Sequence, residues 1–404
     1  MIVTSFKPSK VELGKSLPDQ VLGALRQVLP NKNKTYPLHE PEFSGREWEY
    51  VKNCIETGMV SSVGTYVDKF ERMLEEFTGA KHAVAVVNGT AGLHISLKLA
   101  GVQAEDEVLV PALTFVASAN AVTYCGASPH FVDSEEQTFG IDPDKLREYL
   151  RKNTKQHSGF CINRRTDKVI RAMLPMHTFG HPAKMEGLLK VARDFHIVLV
   201  EDAAEAIGSF YHGQHTGTFG LLGVLSFNGN KTITSGGGGS ILTNDSALAR
   251  RAKHLTTTSK LSHSWEYRHD EIGYNYRLPN INAALGCAQL EQLPCFLKAK
   301  QKLYGLYQKA FQGVSDVTIF SQPEKSRSNF WLQTLILKKH RDNELSAILK
   351  KLHEEKILAR PAWIPMNQLA PFKNSCHMDL RTTESMANRI LNLPSSPSLA
   401  TKAL

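Results

Sequence analysis

The chain has 404 residues, 42% hydrophobic and 22% charged, enough to bury a sizeable core in two domains of an ordinary globular protein. Its net charge of +9 arises from 48 Lys and Arg spread among 39 Asp and Glu with no aromatic-interleaved basic run, which argues against nucleic acid and suits an anionic small substrate. No uncharged apolar run approaches the roughly 18–20 residues of a membrane span, the N-terminal stretch MIVTSFKPSKVELGKSLPDQ has no signal-like apolar core, and the six cysteines include no C-x-x-C pair; no membrane, no zinc ribbon, no disulfide framework and a cytoplasmic address are expected.

Residues 1–37 read as a leader in which VLGALRQVLP has the apolar spacing of a helix. A large domain is expected over 38–290. It opens with the amphipathic stretch HEPEFSGREWEYVKNCIETG, stopped at Gly58, and then alternates short apolar runs with helical ones: HAVAVV, TAGLHISLKLAG, EVLVPA, FVASANAVTYCG, PHFVDS, AMLPMH, MEGLLKVARDF, HIVLVEDAAEA, GVLSFNG and GSILTND. That is the pattern of an α/β sheet. Leu285 to Leu293 reads as an amphipathic core or interface helix. Residues 291–404 form a smaller α+β domain, with FLKAKQKLYGLYQKAFQ helical, FWLQTLILK a strand and NELSAILKKLHEEK helical.

Three stretches carry chemistry. In VVNGTAGLHISLKLAG a strand stops at Asn88-Gly89-Thr90 and a helix begins, which makes either an anion site of free backbone N–H groups and the Thr90 hydroxyl or a plain N-cap by Asn88 or Thr90. In LVEDAAEAIGS a strand delivers Glu201 and Asp202 at its carboxyl end, where ligands of open α/β sheets gather, or else caps a helix. In SFNGNKTITSGGGGSILTND, Lys231 follows a short strand and precedes Gly236 to Gly239. The P-loop pattern fails because Asn230 and Leu225 stand where its glycines belong, and G-x-G-x-x-G fails because its last glycine falls on Ile241 or Leu242, which disfavours a Rossmann oxidoreductase. A phosphate site, an acid at a strand end and, 29 residues later, a lysine are the parts of a pyridoxal-phosphate enzyme: the phosphate anchors the cofactor, the acid keeps the pyridine nitrogen protonated and the lysine carries the aldehyde carbon.

The stretches NGTAGLHISLKLAG, AEDEVLVPALTFVASANAVTYCGASPHFVD, EDAAEAIGSFYHGQHTGTFG, SFNGNKTITSGGGGSILTND and GYNYRLPNINAALGCAQLEQL closely resemble the DegT/DnrJ/EryC1/StrS aminotransferases over residues 38–395. HEPEFSGREWEYVKNCIETGMVSSVG and SFNGNK look most like the members that aminate C4 of UDP-linked 4-keto-6-deoxy-N-acetyl sugars. The resemblance implies a fold-type-I α/β enzyme, a large mixed-sheet domain plus a smaller α+β domain, using pyridoxal 5'-phosphate and acting as a homodimer with shared active sites. Position by position it implies that Lys231 binds the cofactor and shuttles the proton, that Asp202 partners the pyridine nitrogen, that Gly89, Thr90 and Ser226 hold the phosphate, and that Phe115 stacks on the ring. Asn275 of GYNYR would reach the phosphate of the neighbouring subunit.

Two positions depart from the family pattern: Glu205 stands where His or Gln is usual near the cofactor's 3-hydroxyl, and Gly237 replaces the usual glutamate after the lysine. The expected substrates are L-glutamate and a nucleotide-diphosphate sugar, UDP-2-acetamido-2,6-dideoxy-4-ketohexose first, with a GDP-linked 4-keto-6-deoxymannose or a C3-keto sugar as alternatives. The 3-dehydrase relatives carry histidine in place of the lysine, whereas Lys231 is intact here; a binding-only regulator is the rival from another class. No metal is expected: His177 and His181 are four apart but flank Gly180 and precede Pro182, so His177 is weighed instead as a substrate-side hydrogen bond, and Trp363 and Pro365 as packing residues first and nucleotide contacts second.

Overall fold

The computed structural model describes residues 16–339 and 343–401; residues 1–15 of the expected leader lie outside them. Seven strands build the central sheet: β1 His82–Val86, β2 Glu107–Pro111, β3 Ser128–Val132, β4 Ile170–Met173, β5 Val198–Asp202, β6 Leu222–Ser226 and β7 Gly239–Thr243. Their order is β1-β7-β6-β5-β4-β2-β3. Neighbours from β6 through β3 run parallel, and β7 runs antiparallel to both β1 and β6. Strands such as EVLVP and LGVLS are buried along their whole length, as expected where helices cover both faces of a sheet. The covering helices include α3 Thr65–Thr78, α4 Gly89–Leu99, α5 Val116–Tyr124, α6 Pro143–Asn153, α7 Met185–Phe195 and α8 Ser246–Thr256. Their starts follow from local chemistry: Asn88, Asp142 and Asp245 each accept from backbone N–H groups of the helix they cap.

The long helix α9, Asn280–Phe311, has 32 residues and continues through Pro294, so residue 290 falls inside it. Proline removes one backbone hydrogen bond and usually breaks a helix. Here burial on both sides of Pro294 holds the rod together. Ala283, Ala284, Cys287, Leu293 and Phe296 pack with α2 (Glu47–Glu56) and α3, while Leu303, Tyr307 and Phe311 pack with α1 (Leu17–Val28) and α10 (Glu344–Glu354). The apolar face of α1 thereby lies in the core of the C-terminal unit, tied by the Arg26–Glu355 ion pair at 2.8 Å. That unit is completed by a four-stranded antiparallel sheet, β8 Val317–Ile319, β9 Gln333–Leu337, β10 Arg360–Pro361 and β11 Ile390–Leu393, in the order β8-β9-β11-β10. Among the described residues no helix is long and apolar enough to cross a membrane.

Candidate active site

At the carboxyl ends of the parallel strands a cavity of about 600 Å³ opens between the central sheet and the C-terminal unit. Gly89, Thr90, Phe115, Asp202, Glu205, Ser226 and Lys231 line it from one side, and Trp331, Arg360 and Trp363 from the other. A second cleft of about 670 Å³, between α6 and residues 378–385, holds none of these residues; it is edged by charged side chains, among them exposed Lys145 paired with buried Asp133.

The turn before α4 is both cap and cradle. Asn88 Oδ1 accepts the Ala91 N–H at 2.8 Å, while Gly89 and Thr90, the first helical residues, face the cavity. Glycine is required by close approach: a Cβ on Gly89 would lie 3.0 Å from Ser226 Cβ. The glycine run answers to the same turn. Gly236 has φ +78°, and a Cβ on Gly239 would lie 2.7 Å from the carbonyl carbon of Asn88. Gly239 lets β7 pass directly behind the cradle, and Gly236 supplies the left-handed turn that leads into it.

Asp202 ends β5 with its carboxylate buried. Oδ2 accepts from Ser118 Oγ at 2.7 Å and Oδ1 from the Ala204 N–H at 3.1 Å. Burial pushes its pKa up, against the pull of those two donors and of the Lys231 charge. The preceding residue, Glu201, points the opposite way and clips a loop: its oxygens accept from the N–H groups of Gly217, Phe219 and Gly220 at 2.6–2.7 Å and from His177 Nε2 at 3.0 Å. His177 Nδ1 in turn accepts the Ala183 N–H at 3.1 Å. With both ring nitrogens engaged and no exposed surface, His177 makes no substrate-side contact, which corrects that expectation. His181 is buried among Phe139, Phe320 and Phe330.

Lys231 Nζ lies 3.2 Å from Glu205 Oε1 and 4.1 Å from the centre of the Trp331 ring. Glu205 is buried, and its other oxygen accepts the Phe179 N–H at 2.9 Å. Burial pushes its carboxyl up to about 7. Phe115, at the N-cap of α5 and 49% exposed, sits with its ring centre 6.4 Å from that of Trp363, which packs 4.8 Å from Phe179. Trp363 therefore both packs and lines the cavity.

Asn275 is the one candidate outside this chain's cavity: it is exposed, bridges to Thr257 and accepts from Arg277 Nη2 at 3.3 Å. Sequence reasoning missed Ser118 on α5, which holds Asp202, and a group of residues from the C-terminal unit. Asn329 Nδ2 donates to the carbonyls of Glu205 and Ile207 at 2.8 and 2.9 Å, its Oδ1 accepts the Trp331 N–H at 2.8 Å, and a side chain on Gly180 would run into it. Trp331 Nε1 donates to the Asn230 carbonyl at 2.8 Å. Nothing in the spacing of SNFWLQ relates it to a lysine 100 residues earlier.

The donor set fits pyridoxal phosphate: a helix start and two hydroxyls for a dianion, a buried carboxylate for a ring nitrogen, an amine for an aldehyde, and an aromatic face. Residues 41–404 match the profile of the DegT/DnrJ/EryC1/StrS aminotransferase family. The chain is 35% identical over 367 residues to the GDP-perosamine synthase of Escherichia coli O157:H7, covering 91% of this chain and 95% of that protein. It is 36% identical over 337 residues to the putative pyridoxal phosphate-dependent aminotransferase EpsN of Bacillus subtilis, covering 83% of each. Among solved structures, Helicobacter pylori PseC, an aminotransferase involved in the biosynthesis of pseudoaminic acid, superposes with a TM-score of 0.80 at 25% identity over 92% of this chain and 98% of that one.

Proposed function

The chain belongs to the DegT/DnrJ/EryC1/StrS aminotransferase family of pyridoxal-phosphate-dependent sugar aminotransferases, and from that premise we propose that it moves the amino group of L-glutamate to the 4-keto carbon of a nucleotide-diphosphate-linked 4-keto-6-deoxy sugar. The observation that carries this reading is the convergence of Lys231, Asp202 and the Gly89-Thr90 turn on one cavity. Pyridoxal phosphate, when bound, supplies an electron-poor ring that stabilises the negative charge left on a carbon that loses its proton. The chain's own residues do the rest. Gly89, Thr90 and Ser226 would hold the phosphate, Asp202, anchored by Ser118 and Ala204, would keep the ring nitrogen protonated, Phe115 would offer an aromatic face, and Glu205 would stand as a further hydrogen-bonding group. Lys231 Nζ carries the proton between donor carbon and cofactor in both halves of the exchange.

For the acceptor, GDP-4-keto-6-deoxymannose comes first. It is favoured by GDP-perosamine synthases from three bacteria, 32–36% identical over 89–91% of this chain. The UDP-linked 2-acetamido sugar is the second reading, favoured by the HEPEFSGREWEY stretch of the N-terminal region. Arg360 at the cavity mouth suits the diphosphate of either one. A homodimer with shared sites is part of the proposal. Trp265, Tyr267 and Ile272, in the segment that leads to Asn275, are 79–85% exposed, and large apolar side chains left in solvent are of the kind that a partner covers.

The test is the visible absorption of the protein given pyridoxal phosphate, before and after L-glutamate, in wild type and Lys231→Ala. A cofactor band that bleaches with glutamate in wild type only is the expected result. A wild type without any band overturns the proposal. A panel of GDP- and UDP-linked 4-keto sugars then assigns the acceptor by which one restores the band.

A further inference from the structure

Glu205 is the departure that the fold makes conspicuous. Its carboxylate is buried beside a lysine that has to be uncharged to attack a carbonyl, and its two oxygens have separate tasks. Oε2 is fixed by the Phe179 N–H at 2.9 Å, and Oε1 faces Lys231 Nζ at 3.2 Å. The Phe179 turn is held in place from behind: Phe179 has φ +56°, the Gly180 carbonyl accepts from Ser209 and Ser328 at 2.7 and 3.0 Å, and Asn329 ties the Glu205 carbonyl to the C-terminal unit. A carboxylate held this firmly has one flexible neighbour, the lysine amine.

We propose that Glu205 is the proton partner of Lys231: its carboxylate balances the ammonium form of the lysine and takes the proton that the lysine gives up on becoming a free amine. The inference rests on the function proposed above and adds a catalytic residue to it. The transfer is balanced within the pair: ammonium and carboxylate become amine and carboxylic acid as the proton moves from Nζ to Oε1, and no charge leaves the cavity. A solvent-exposed base would have to draw that proton out through the desolvated site.

The other groups around the pair leave this task to Glu205. Asp202, on β5, faces the lysine but is committed to Ser118 and Ala204. His39, from the segment before α2, feels both Lys231 and Lys300 and is kept neutral, first by burial. Trp331 offers the lysine only its ring face. The Glu205 carboxyl, pushed up to about 7 by burial, sits where a proton acceptor at neutral pH has to sit.

The experiment uses cofactor-free protein, so that it is independent of any sugar substrate. The rate of trace acetylation of Lys231 is followed against pH by mass spectrometry of its peptide, with surface lysines as internal standards. Removing the carboxylate takes away the partner of the ammonium and leaves more free amine at pH 7. Glu205→Gln is therefore expected to label about tenfold faster than wild type at that pH, with Glu205→Asp between the two. The same profile in Glu205→Gln as in wild type overturns the proposal. The pH dependence of the glutamate half-reaction gives a second readout. Its rising limb near neutrality disappears in Glu205→Gln if the carboxyl is the titrating group and persists if it is not. Failure of wild type to bind cofactor would strike the proposed function; labelling unchanged in Glu205→Gln, where wild type does bind cofactor, strikes only the role of Glu205.

Discussion

Asp202 illustrates how far one hydroxyl can matter. In the role proposed for it, its carboxylate serves only while ionised; burial opposes that, and the Ser118 hydroxyl is one of two hydrogen-bond donors in its favour. A hydrogen bond to a charged group contributes roughly 1.5–3 kcal/mol. Ser118→Ala should therefore raise the Asp202 pKa, so that the acid limb of the glutamate half-reaction moves to higher pH while the rate above that limb changes little; an unmoved limb would show that Ser118 does not support the carboxylate. At this scale the sequence was legible wherever a residue's neighbours in the chain state its task. Asp202 ends a strand, Gly89 starts a helix and Lys231 follows a strand. Ser118 and Asn329 were not legible, because their partners lie 84 and 124 residues away and only folding brings them together.

Among the elements, β7 and α4 form a contact that tolerates no added carbon. Gly239→Ala would place a Cβ 2.7 Å from the Asn88 carbonyl carbon, and overpacking of this kind costs about 1–3 kcal/mol. Because the turn that must yield also carries Gly89 and Thr90, the expected outcome is a lower Tm together with weaker cofactor binding, measured by titrating the cofactor band. A lower Tm with unchanged affinity would mean that the strain relaxes elsewhere. The strands and helices of the large sheet were legible as alternating apolar and amphipathic runs. The continuity of α9 was not: Pro294 reads locally as a break, and the burial that overrides it comes from two different sets of partners on either side.

Over the whole molecule, several imidazoles are folded neutral. Burial drives His181 and His215 down to about 3 and His94 to about 4, and holds His39 well below its usual value. Each binds a proton in the unfolded chain below about pH 6.5 but not in the folded one, so stability is full above that pH and falls as the pH drops toward the folded values. The slope is about 1.4 kcal/mol per pH unit for each imidazole in that window. Urea midpoints should fall steeply between neutral pH and pH 5, and His181→Phe, which keeps a ring among Phe139, Phe320 and Phe330, should make the fall shallower by one proton. A midpoint independent of pH over that range would contradict this account. The change in pattern after the large sheet was visible in the sequence, but the expected boundary at 290 falls inside α9. That α1 belongs to the C-terminal core was not legible, because an amphipathic helix announces that it needs a partner without naming it.

The shared rod α9 also decides how this chain can be divided. At about 1.5 Å per residue its 32 residues span about 48 Å, and its two halves complete different cores. A polypeptide ending at residue 290 would carry away the start of the helix without Leu293 and Phe296, and the remainder would begin with an unpaired turn and lack α1. Neither fragment should be soluble alone, whereas co-expressed halves should reassemble around the helix. A break in an exposed loop of the 261–272 segment, where Trp265 and Tyr267 face outward, should instead be tolerated by each protomer's core. For this protein the boundary between domains is a beam that both lean on, and its hinges must be sought in the loops.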